Sequence, residues 1–105
     1  MTEREIHKVC KKYNITNYYI NNDMSIDIND SLIIQNSSPI NTPLSLLDIN
    51  RVEGILDISY NRLTSLKDCP NYVGDDFFCN NNRLTSLEGA PNYVGGKFHC
   101  YNNKL

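Results

Sequence analysis

Residues 63–83 read LTSLKDCPNYVGDDFFCNNNR, and residues 84–104 read LTSLEGAPNYVGGKFHCYNNK. The two segments are contiguous and agree at 13 of 21 positions, which sets a period of 21. One period further back the pattern thins but holds. Val52, Val73 and Val94 align, as do Leu56, Phe77 and Phe98. So do Ile58, Cys79 and Cys100, then Asn61, Asn82 and Asn103, then Leu63, Leu84 and Leu105. The columns spell apolar-x-apolar-x-x-Asn-x-Leu. Self-similarity at a period of roughly 20–50 residues marks a stacked-repeat architecture, in which no single unit can bury its own apolar face.

Within each unit, alternation along a strand assigns the faces. Phe77, Cys79, Phe98 and Cys100 are expected inward, and Phe78 and His99 outward. Parallel stacking at about 4.8 Å per rung would bury the inward columns. Gly74, Gly95 and Gly96 suit a turn with positive φ, or a close backbone approach, just before the strand. Pro70 and Pro91 keep the return segment extended or turn-like. The column Asn61, Asn82 and Asn103 is expected to bond the main chain of the bend and of the next rung. Tyr72 and Tyr93 form another column, expected to stack along a flank.

The apolar-x-apolar-x-x-Asn-x-Leu core, with LTSL and a following Pro, resembles the short bacterial-type leucine-rich repeat. The longer form LTSLxxxPNYVGGxFxCxNN resembles repeats in small proteins of large tailed phages and some bacteria. The resemblance spans 63–105 and continues more thinly over 44–62. It implies an α+β repeat protein: a short leucine-rich-repeat solenoid with one parallel β-sheet of three to four rungs.

Upstream, Thr2-x-x-Glu5 has capping-box spacing, and Ile6, Val9, Cys10 and Tyr13 fall on one helical face. These predict a helix over 2–13, with Asn14 as its stop. Residues 18–28 predict a hairpin with arms Tyr18 to Ile20 and Met24 to Ile28. Residues 31–35 predict a strand, since Leu32 and Ile34 sit 24 residues before Leu56 and Ile58. Residues 36–43, NSSPINTP, are loop-like. The expected organisation is an N-terminal cap over 1–35, and repeats over 36–105.

The 105 residues carry 10 basic and 12 acidic groups, a net charge of −2, which gives no long-range attraction to phosphate backbones. Nucleic acid is therefore not an expected partner. No apolar run approaches the ~20 residues of a membrane span. No apolar leader segment opens the chain, so a cytoplasmic location and reduced cysteines are expected. In a phage-encoded protein, that cytoplasm is the bacterial host's.

Catalytic and metal chemistry find little support in the spacing. Cys69, Cys79, His99 and Cys100 match no usual zinc-ligand spacing, and adjacent strand residues point apart. Cys79 and Cys100 share the column of Ile58, which marks them as core thiols. His7 is expected on the helix surface, and no nucleophile can be placed beside either histidine. Asp75 and Asp76 alternate in direction within a turn. No Gly-rich phosphate loop is present. No catalytic residue, metal or cofactor is expected.

What remains are outward positions that differ between near-identical repeats. These are Ile55, Asp76 and Lys97 at the start of the strand, then Asp57, Phe78 and His99, then Ser59, Asn80 and Tyr101. Aromatic residues anchor interfaces, and a repeat stack commonly binds through such a face. The expectation is a non-enzymatic protein–protein interaction module. By resemblance to the phage-borne repeats, it is a phage-encoded inhibitor or modulator of a bacterial host protein. Two alternatives stand beside it. One is self-assembly, as a homodimer paired through the edge strand around Lys97–Cys100. The other is the targeting fragment of a larger effector.

Overall fold

The computed structural model describes residues 1–34 and 43–105. Helix α1 (Glu3–Lys12) comes first, then strands β1 (Tyr18–Ile20), β2 (Ile26–Ile28) and β3 (Leu32–Ile33). A short helix α2 (Pro43–Leu46) leads into β4 (Ile49–Val52) and β5 (Leu56–Asp57). The two clear repeats add β6 (Tyr72–Val73) and β7 (Phe77–Phe78), then β8 (Tyr93–Val94) and β9 (Phe98–His99).

From β2 onward the strands alternate between two sheets. The first has the order β1-β2-β4-β6-β8 and the second β3-β5-β7-β9. Among the described residues only the β1–β2 hairpin is antiparallel; the other pairings are parallel. The chain is thus an α+β solenoid of about three turns, with its core between two stacked sheets. A single sheet was expected, the one of β3, β5, β7 and β9, and the β1-β2-β4-β6-β8 sheet is a correction. Its strands β6 and β8 are two residues long, and Val52 and Val73 face the same core as Leu56 and Phe77.

The sequence periods become rungs. Leu56 pairs with Phe77 and Phe77 with Phe98, each one period apart. Leu32 pairs with Leu56, so the segment before the repeats supplies a rung of its own. Phe77 and Phe98 meet edge to face at 4.9 Å, one of the favoured aromatic geometries. Phe77 is fully buried, whereas Phe98, in the last rung, is 38% exposed. Burial of each inward residue therefore depends on a rung above it as well as below.

Two devices hold the rungs together. A Cβ on Gly74 would lie 2.1 Å from the Glu53 carbonyl oxygen, so close backbone approach, not positive φ, is what glycine provides there. The other device is the asparagine ladder. The Asn82 amide donates to the carbonyls of Ile58 (3.0 Å), Cys79 (3.0 Å) and Asn80 (3.3 Å). Its Oδ1 accepts the N–H groups of Asn61 and Leu63 at 2.9 and 3.0 Å. Asn103 repeats the arrangement one rung on, donating to Cys79, Cys100 and Tyr101.

At the N-terminal end, α1 is closed by the capping box. The Glu5 N–H donates to Thr2 Oγ1, and the Thr2 N–H donates to Glu5 Oε1. Tyr13 is its C-cap and Asn14 follows with φ 59°, a conformation asparagine tolerates. Ile6 and Cys10 enter the core. The second hairpin arm starts at Ile26 rather than Met24, because Met24 takes φ 69° and the Asp23 carboxylate caps the turn through Ser25. Of the expected strand 31–35 and loop 36–43, residues 35–42 lie outside the described residues. Pro43 opens α2 instead of closing a loop, a position where its missing N–H costs nothing.

Candidate interaction face

The outer surface of the second sheet is built by register. Ile33, Asp57, Phe78 and His99 are successive Cα partners, so their side chains form one column across four strands. Phe78 and His99 stack with centroids 4.3 Å apart and planes 3° apart. Tyr101 stands edge-on to His99 at 6.3 Å and 87°. Phe78 and His99 are half-buried and Tyr101 is exposed. Three rings with accessible edges thus occupy positions at which the repeat demands no particular residue.

Asp57 is half-buried in the same column. Beside it run Ser31, Ile55, Asp76 and Lys97, at the strand starts. Their polar atoms serve the stack: Ser31 Oγ accepts the Ile55 N–H at 2.9 Å, and Asp76 Oδ1 accepts the Lys97 N–H at 2.7 Å. The Lys97 side chain is exposed and forms no ion pair among the described residues.

The third column departs from expectation. Ser59 and Asn80 were placed outward with Tyr101, yet they are 2% and 4% exposed. The strands end at Asp57 and Phe78, and the chain then bends through Tyr60 and Asn81 with φ of 60° and 56°, so strict alternation stops. Ser59 Oγ turns back to donate to Asp57 Oδ1 at 2.5 Å. Asn80 is folded into the bend, with its Oδ1 buried and without a partner. Both residues leave the accessible face. Ile33, 64% exposed, joins it. The signal for Ile33 was present, since Leu32 and Ile34 align with the inward Leu56 and Ile58.

The first sheet carries a second ladder. Tyr72 and Tyr93 stack at 4.8 Å and 8°, as their column implied. The Arg51 guanidinium continues the stack 4.2 Å above Tyr72, its Nε 2.6 Å from Glu53 Oε1. Tyr72 is held between Tyr93 and Arg51, while Tyr93, 52% exposed, is stacked on one side, and the ladder ties successive rungs together.

His7 Nδ1 is hydrogen-bonded to the Tyr18 hydroxyl, and its Nε2 lies 3.6 Å from Glu3 Oε1. Burial, with help from Cys10, raises the Tyr18 phenol above its ordinary range, which keeps it protonated and unsuited to attack. Burial likewise pushes Cys69 and Cys79 up to about 12 and raises Cys10. All four cysteines are free thiols. A cleft of about 530 Å³ lies beside the hairpin turn, with Asp23, Asp48 and Asp68 in its wall. Among the described residues no three His, Cys, Asp or Glu side chains converge as metal ligands. None of the described helices is long and apolar enough to cross a membrane. Compared with known proteins, the chain matches no family model, no curated protein and no solved structure.

Proposed function

We propose that this protein is a non-enzymatic interaction module of leucine-rich-repeat type that binds a protein partner through Phe78, His99 and Tyr101. The observation that carries this is the Phe78–His99 stack, half-exposed on a sheet face where folding leaves the residue free to vary. A stacked pair is already ordered, so docking against it costs little side-chain entropy, and aromatic residues are the commonest interface anchors. Ile33 extends the face at one end and Lys97 flanks it at the other. The repeat's resemblance to phage-borne proteins supplies the partner class: a bacterial host protein, inhibited or modulated in the cytoplasm.

Affinity capture from bacterial lysate tests the proposal. Wild type is run beside a variant carrying Phe78→Ala, His99→Ala and Tyr101→Ala, and beside Tyr93→Ala on the opposite sheet. A protein retained by wild type and Tyr93→Ala but lost by the triple variant supports the assigned face. Equal retention by all three refutes it.

A further inference from the structure

We draw no further inference here: the strongest candidate, the apolar end of the stack where Leu87 and Phe98 stand exposed beside the outer edges of β8 and β9, carries nothing because nothing in the structure shows what covers it.

Discussion

Asn82 accepts the backbone N–H of Asn61 across one full turn of the solenoid, Oδ1 to N at 2.9 Å. The same side chain makes four further bonds to main-chain groups of two rungs. Each buried main-chain group left without a partner costs about 1–3 kcal/mol. Asn82→Ala should therefore cost about 3 kcal/mol or more, lowering the thermal midpoint by roughly 10 °C or more for a domain of this size. Asn103→Ala should cost less, because Asn103 is only half-buried. Thermal unfolding followed by circular dichroism checks the order; equal losses would contradict it.

Close approach at Gly74 yields a second prediction. An added methyl would sit 2.1 Å from the Glu53 carbonyl oxygen, and the nearest atoms are all Glu53 backbone, with no flexible side-chain end to move aside. Gly74→Ala should destabilise by about 2–3 kcal/mol, the upper part of the range typical of overpacking. Urea unfolding of the variant measures this. A midpoint equal to wild type would mean that the rungs are spaced more loosely than described.

Tyr60 is the repeat's misfit. It holds φ 60°, as its column mates Asn81 and Asn102 hold 56° and 54°. A left-handed conformation costs a non-glycine residue about 1–2 kcal/mol, and asparagine bears it better than tyrosine. The Asn102 amide also donates to Asn81 Oδ1 at 3.0 Å, a ladder that an asparagine at 60 would extend. Tyr60→Asn should stabilise by about 1 kcal/mol, read as a thermal midpoint several degrees higher. A lower midpoint would show that the Tyr60 ring makes a contribution larger than the strain.

Buried thiols make stability depend on pH at the alkaline end. A thiol's ordinary value is 9.0, and burial pushes Cys79 up to about 12 in the folded chain. Between these limits the unfolded chain holds fewer protons than the folded one, so stability falls as pH rises. Cys69 acts in the same direction. Cys79→Val keeps the column apolar, as Ile58 does one rung earlier. Its urea midpoint should drop less than wild type's between pH 7.5 and pH 10. Parallel drops would contradict the assignment of Cys79 as a protonated core thiol.

The fold was legible where the same residue type recurs every 21 positions. The columns of Val52, Leu56, Ile58 and Asn61 identified inward and ladder positions before any coordinates. Capping-box spacing at Thr2 and Glu5 and the turn residues Asn21 to Asp23 did the same for α1 and the hairpin. The first sheet escaped notice because Tyr72–Val73 runs straight into Gly74, read as a turn, so Tyr72 and Val73 stood as separate columns and not as a strand. Ser59 and Asn80 were misplaced for a related reason. Period-two alternation was carried past Phe78 into a bend whose left-handed residue, Asn81, swings the chain inward. Ile33 went unassigned although the same 24-residue offset that aligns Leu32 and Ile34 with Leu56 and Ile58 sets it beside Asp57. The candidate face was read from the positions that the period leaves free, with alternation along the strand placing Phe78 and His99 outward.

The proposed face sets Phe78, as the anchor for a protein partner, apart from Tyr93, equally aromatic but part of the first-sheet ladder. The most direct measurement is the dissociation constant of the captured partner for wild type, Phe78→Ala and Tyr93→Ala, by surface plasmon resonance on folded proteins. Loss of an interface anchor costs about 1.4 kcal/mol or more, which is tenfold or greater in affinity. That loss is expected for Phe78→Ala, and an unchanged constant for Tyr93→Ala. Wild-type affinity in Phe78→Ala, or an equal loss in Tyr93→Ala, would contradict it.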